Sequence, residues 1–308
     1  MRINSPAFHR HQQDTRFAQA FTYLFVGGVI MGFSPVLVRE AETGAFISAF
    51  WRVLFALPVL GAWAYVETKR QNLKFRVELS IPAIIAGFMF AGDLIFWHLA
   101  ILNTTMANAT FMVCLAPVWV AVFSNIFLGE KTGRNAVFGI LLCLAGLMLL
   151  INSSIQFHPA RLTGDIYGLI TSFFLGSYFL AMRFSRQSET NRVNGGGNLF
   201  FASTLVTCAV LFIAALLSGQ SFMPETNKGW ISLVSLGVFT HAGGQGLVTI
   251  ALGSLTAVFS SLVIFIEAIA AALFGWWLFD EAMSISQMFG GALILLGVWC
   301  ARPRFKDT

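Results

Sequence analysis

The sequence predicts an all-α membrane protein of ten transmembrane helices arranged as two inverted five-helix repeats, and three observations carry that prediction. Of its 308 residues, 57% are apolar and only 11% charged, and the mean hydropathy is +0.76, well outside the composition of soluble domains. The apolar residues are gathered into ten runs of membrane-spanning length. The second half of the chain also repeats the first, and an odd number of crossings per copy turns the second copy upside down.

A helix needs ~20 predominantly apolar residues to cross a hydrocarbon core. The runs lie at 18–38, 45–66, 80–101, 105–128, 135–152, 164–183, 198–217, 230–252, 255–278 and 285–301. A barrel strand would alternate apolar and polar residues, whereas residues 140–150 are apolar on every face. Residues 1–17 form a polar tail that is expected to be retained. The run after it is too long for a signal-peptide core, and no small-residue cleavage site follows.

The net charge of +5 gains meaning from where the basic residues fall. With the N-terminus inside, fifteen of the 19 lie in cytoplasmic segments: the 1–17 tail, the turns after the second, fourth and sixth runs, and the tail 302–308. Arg39, Arg161 and Lys228 remain outside, and Arg52 falls within the second run. The positive-inside rule therefore predicts an inner (plasma) membrane protein with both termini cytoplasmic. It also accounts for the charge without a nucleic-acid partner. Cys114, Cys143, Cys208 and Cys300 lie inside apolar runs without zinc or redox spacing and are read as packing residues. No metal and no cofactor are expected, and the expected partners are a small-molecule substrate and the lipid bilayer.

An offset of 151 lays residues 91–150 on 242–301 without gaps. Thr105 falls on Thr256, Glu130 on Glu281, Gly139 on Gly290 and Gly146 on Gly297. At an offset of 144, Gly32 falls on Gly176 and Arg39 on Arg183. The first repeat is thus expected at 18–152, an external linker at 153–163 and the second repeat at 164–301. The turn at 128–134 is basic, while its counterpart at 279–284 has no basic residue, as opposite faces of a membrane require. Duplicated helices also occur in membrane-embedded enzymes, but the loops here are short and poor in acids, histidines and serines. A channel or interaction protein would show large extramembrane segments or rings of pore residues, and neither is visible.

These residues carry a family resemblance. The first half has Asn103-Thr104-Thr105, Ala107-Asn108-Ala109-Thr110, Leu115-Ala116-Pro117-Val118 and Leu128-Gly129-Glu130, followed by a glycine-spaced helix. In this the sequence resembles the drug/metabolite transporter (DMT) superfamily, specifically its EamA-type ten-helix branch, over nearly the whole chain. The second half of that pattern has Leu-Glu-Pro and a Gly-Glu turn, where this chain has Ile266-Glu267-Ala268 and Asp280-Glu281. Alanine keeps the helical hydrogen bond that proline would remove, so the usual cause of a kink at position 268 is gone. The resemblance implies gradient-driven export, or sometimes uptake, of amino acids, related metabolites or drugs. No Walker-type phosphate loop is present.

An ionisable side chain at membrane depth costs ~2.5–3.5 kcal/mol on insertion scales, so each one there needs a partner or a watery cavity. Arg52, about two turns into the second helix, can hold a carboxylate or phosphate through paired hydrogen bonds, or can snorkel outward. Asp93 and Trp97 share a face of the third helix and can meet an amine together; Asp93 can equally pair with Arg52. Glu267, the signature glutamate, lies near the middle of the ninth helix with Ser260 and Ile264 on its face. It can also serve as a helix cap. Asp93 and Glu267 are the candidates for proton coupling, because carboxyl groups at this depth can exchange a proton as water comes and goes.

His241, Gln245 and Thr249 form a polar stripe spaced by four on the eighth helix. Asn108 follows Thr105 on the fourth helix and can contact either substrate or a neighbouring helix. His98, about 140° around the helix from Asp93, is expected to bond a neighbouring helix. The substrate-binding candidates are therefore Arg52, Asp93, Trp97, Asn108, His241, Gln245 and Glu267, with no catalytic residue. Charges of both signs favour a zwitterionic cargo such as an amino acid, exported by alternating access. Nucleobase-like, vitamin or drug cargo is the alternative.

Overall fold

The computed structural model describes residues 6–151, 159–187, 189–279 and 284–302. Its α-helices in chain order are α1 Pro6–Met31, α2 Ser34–Arg39, α3 Ala45–Arg70, α4 Ile81–Asn103, α5 Met106–Val113, α6 Ala116–Leu128 and α7 Arg134–Ile151. After a short 3₁₀ turn follow α8 Leu162–Gln187, α9 Glu189–Leu217, α10 Asn227–Ser235, α11 Gly246–Ala251, α12 Ala257–Ser261, α13 Val263–Phe279 and α14 Ile285–Cys300. A π-helical segment, Leu236–Gln245, joins α10 to α11. The linker stretch 152–158, the turn 280–283 with Glu281, and the tail 303–308 lie outside the described residues.

Nine stretches among the described residues are long and apolar enough to cross a membrane. The tenth, α14, has 16 residues and rises roughly 24 Å at 1.5 Å per residue. The protein is thus an all-α, multi-pass membrane protein. Four spans are broken or distorted. The first breaks between α1 and α2, and the fourth between α5 and α6. In each, proline occupies the first turn of the second piece, where its missing donor leaves no bond unmade. The eighth span contains the π segment.

The ninth span breaks without proline, at Leu262, whose N–H donates to Phe259 O while its carbonyl accepts from Phe265. The helix then runs unbroken through Ala268, in keeping with the hydrogen bond that alanine retains.

Repeat-related residues recur in equivalent structural positions. Thr105 and Thr256 are both N-caps, accepting from the backbone N–H of Asn108 and of Phe259, a contact worth about 1 kcal/mol. Gly32 packs against the Glu267 carbonyl and Gly176 against the Ala116 carbonyl. Helix pairs follow the same rule. α4 packs on α8 as α1 packs on the π segment and α11; α6 packs on α8 as α1 packs on α13; α3 packs on α9, and α7 on α14.

The α7–α14 crossing shows why glycine recurs. A Cβ on Gly146 would stand 2.7 Å from the Gly290 carbonyl, and one on Gly290 2.6 Å from the Gly146 carbonyl. Gly139 and Gly297 oppose each other in the same way, at 2.6 and 2.7 Å. Between these pairs, Cys143 Sγ lies 3.5 Å from the Ile294 carbonyl. Contact positions rise along α7 as they fall along α14, so the two helices run antiparallel. Replacing Gly146 with valine forces this backbone contact apart, and a loss of about 2–3 kcal/mol is expected. The check is a lowered unfolding midpoint in detergent, which the same change at Gly291, where an added Cβ would meet nothing within 4 Å, does not produce.

Candidate functional site

Five of the sequence candidates converge on one buried cavity. α3 presents Arg52, α4 presents Asp93 and Trp97, the last residue of the π segment is Gln245, and α13 presents Glu267. All five line a cavity of about 40 Å³ together with Ser34, Phe90 and apolar residues of α5, α8 and α13. At ~10–15 Å³ for each water, it has room for a few waters and for nothing as large as an amino acid.

Arg52 is 4% exposed and Asp93 6%. Arg52 does not snorkel outward: its guanidinium lies 5.6 Å from the centre of the Trp97 ring, within the range of a cation–π contact. Arg52 lies within electrostatic reach of both Asp93 and Glu267, and Glu267 feels the charge of Asp93 as well as that of Arg52. Among the described residues, however, Arg52 makes no ion pair within 4.0 Å with either carboxylate. Glu267 caps no helix among the described residues.

The walls also hold unmet hydrogen-bonding capacity. Ser34 Oγ, Arg52 Nε and both amide atoms of Gln245 are buried without a hydrogen-bond partner. A buried polar group left so costs about 1–3 kcal/mol. The Tyr178 hydroxyl, beside Gln245 and Thr249, is likewise without a hydrogen bond of good geometry.

The predicted stripe does not reach the cavity as a whole. His241 stacks on Phe200 at a ring distance of 5.3 Å and lies tilted against Phe90 at 5.2 Å, with Nε2 3.4 Å from Thr204 Oγ1. It is not among the residues lining the cavity. Thr249 Oγ1 donates to the Gln245 carbonyl at 3.0 Å. Only Gln245 of the three lines the cavity: His241, a turn earlier, is held among its ring neighbours and Thr204, and Thr249, a turn later, by its bond to the Gln245 carbonyl.

Asn108 also lies off the cavity. Its Nδ2 donates to Asp165 Oδ1 at 2.9 Å, and Thr104 Oγ1 donates to the same oxygen at 2.7 Å, tying the α4–α5 turn to the first turn of α8. His98 corrects an expectation. Its Nδ1–H donates to the Leu94 carbonyl of its own helix at 2.7 Å, not to a neighbouring helix. Ser34, Asp165 and Tyr178 were missed from sequence. The Ser34-Pro35 break and the single acid near the start of the sixth run were the signals available for the first two.

A bundle of crossing helices around a buried, charged and partly unsatisfied cavity defines a multi-pass membrane transporter. The chain belongs to the EamA-like transporter family, which matches residues 19–152 and 162–302, and it is therefore not an enzyme. It is 25% identical over 278 residues to the Pseudopaline exporter CntI of Pseudomonas aeruginosa PAO1, covering 90% of each chain. It is 25% identical over 279 residues to an uncharacterized transporter of Archaeoglobus fulgidus, covering 90% of this chain and 94% of that one. To the uncharacterized transporter YcxC of Bacillus subtilis 168 it is 21% identical over 301 residues, covering 94% and 93%. A solved crystal structure at 18% identity superposes with a TM-score of 0.76 over 92% of this chain and 97% of the other, a likeness of fold.

Proposed function

We propose that this transporter is a secondary carrier that exports an amino acid or related zwitterion by alternating access between two inverted five-helix repeats. It works in the inner (plasma) membrane with both termini cytoplasmic. The observation that carries the reading is the convergence of one guanidinium and two carboxyl groups on a single buried cavity. Arg52 takes the substrate carboxylate through paired, charge-assisted hydrogen bonds. Asp93 or Glu267 takes the ammonium group, with Trp97 offering its ring face. Gln245 and Ser34 supply the neutral polar contacts.

Two carboxyl groups against one fixed cation leave an odd acidic site. A proton can occupy it whenever no ammonium group does, and this is the basis for proton coupling through Asp93 or Glu267. The smallness of the cavity means that helices must part to load cargo, and the repeat-related pairings and the antiparallel α7–α14 crossing support two alternative packings of the same elements. Export is favoured by the name of the Pseudomonas relative, which shares 90% of this chain's length.

Counterflow in proteoliposomes tests the reading, with radiolabelled amino acids and nucleobases as the panel. Wild-type protein is expected to accumulate a zwitterion, while Asp93→Asn and Glu267→Gln each reduce the rate at least tenfold. One of the two loses its response to an imposed pH gradient. Accumulation of nucleobases alone would replace the zwitterion reading with the nucleobase-like one.

A further inference from the structure

A second cavity, of about 250 Å³, lies away from the charged site, between α1 and the end of α14. Its wall on α1 is Phe17, Phe21 and Phe25, spaced by four and so sharing one face; Phe259 of α12 forms part of the floor. From Phe17 to Phe25 the helix rises about 12 Å, most of the depth of one leaflet in a hydrocarbon core ~30 Å thick. The α14 rim is outward-facing, with Leu295 49% and Trp299 68% exposed. In a membrane-spanning bundle this open side meets acyl chains, not water.

One end of the groove is polar. Arg302 lines it, with its guanidinium 5.3 Å over the centre of the Phe17 ring. Arg302 directly follows the last turn of α14, and Phe17 lies near the start of the first span, so this end sits at headgroup level. A cation at headgroup level above an apolar slot about one leaflet deep matches the two parts of an anionic phospholipid. We propose that this groove is a lipid site, holding one acyl chain along the phenylalanine stripe with its phosphate on Arg302.

The test is native mass spectrometry of the full chain exchanged into mixed micelles of phosphatidylglycerol and phosphatidylethanolamine at equal mole fraction. One phosphatidylglycerol per chain is expected to be retained in preference to phosphatidylethanolamine. Arg302→Gln, a change on the exposed rim, lowers that preference about fivefold. Leu295→Trp fills the slot from its exposed side and removes the retained lipid with the charge in place. Glycerol 3-phosphate, the headgroup chemistry without a chain, does not displace it. Equal retention of the two lipids, no retention by wild type, an unchanged preference in Arg302→Gln, or displacement by glycerol 3-phosphate would each overturn the assignment. A dimer that excludes bound lipid would do the same, assigning the groove to a second copy of this chain.

Discussion

Replacing Arg52 with glutamine is expected to lower counterflow about 100-fold and to destabilise the protein while leaving its helical content intact. Arg52 is the one basic residue lining the central cavity. It faces Asp93 and Glu267 across a small buried cavity with room for only a few waters. Hydrogen bonds to charged groups contribute about 1.5–3 kcal/mol each, so losing a paired contact to a substrate carboxylate corresponds to roughly two orders of magnitude. The folded protein suffers separately, because the two buried carboxyl groups lose the one cation that faces them across the cavity.

The two effects can be told apart. Arg52→Gln combined with Asp93→Asn restores charge balance and is expected to recover the unfolding midpoint without recovering transport. Arg52→Lys keeps the charge but loses the planar fork, and a loss of about tenfold is expected. Wild-type counterflow in a folded Arg52→Gln protein would remove Arg52 from the substrate site and with it the charge-matching argument for a zwitterion.

The sequence placed the ten crossings because a bilayer leaves the chain little choice: about 20 apolar residues must intervene between wet ends. It also marked the residues that the repeat keeps for backbone reasons. Thr105 and Thr256 recur because each caps a helix, and Gly139, Gly146, Gly290 and Gly297 because any Cβ there would strike a carbonyl. The cost of charge at membrane depth picked out Arg52, Asp93 and Glu267, which the fold brings to one cavity.

Other features were set by tertiary contacts that no period in the sequence records. Asn108 turned to Asp165 because the α4–α5 turn lies against the start of α8. The spacing by four on the eighth span marks a shared face but not the depth at which that face meets the cavity, and His241 lies a turn away from it, between Phe90 and Phe200. Tyr178 is one aromatic among many in the sequence, and only the fold sets it beside Gln245.

Removal of the Glu130 carboxylate is expected to open the face proposed as cytoplasmic. Glu130 follows Gly129, whose φ of +67° ends α6 in the left-handed region. Glu130 Oε1 accepts from Arg183 Nε at 2.7 Å and from Gln187 Nε2 at 3.0 Å, and Oε2 accepts from the Ala257 N–H at 2.9 Å. Arg183 Nη1 in turn donates to the Leu252 carbonyl at 2.8 Å. One carboxylate therefore joins the ends of α6, α8 and α12, with α11 held through Arg183, and it sits at the N-terminus of α12, where a negative charge is favoured. The pair is well covered, with side-chain exposures of 15% for Arg183 and 14% for Glu130.

Under alternating access, a conformation open at this face must part these helix ends and give up these bonds, so Glu130→Ala penalises the closed form alone. A penalty of about 3 kcal/mol shifts a two-state balance about 100-fold toward opening. A reporter thiol at Ser260→Cys, one turn beyond Ala257 and fully buried, in a background without the four native cysteines, reads that shift. Its labelling by a membrane-impermeant maleimide from the cytoplasmic side should rise by one to two orders of magnitude in Glu130→Ala. In Glu130→Gln, which keeps an acceptor for the Ala257 N–H but loses the charge opposite Arg183, the rise should be smaller. If labelling stays at the wild-type rate in both variants, closure at this face rests on the apolar packing of α6, α8 and α12 and not on the ion pair.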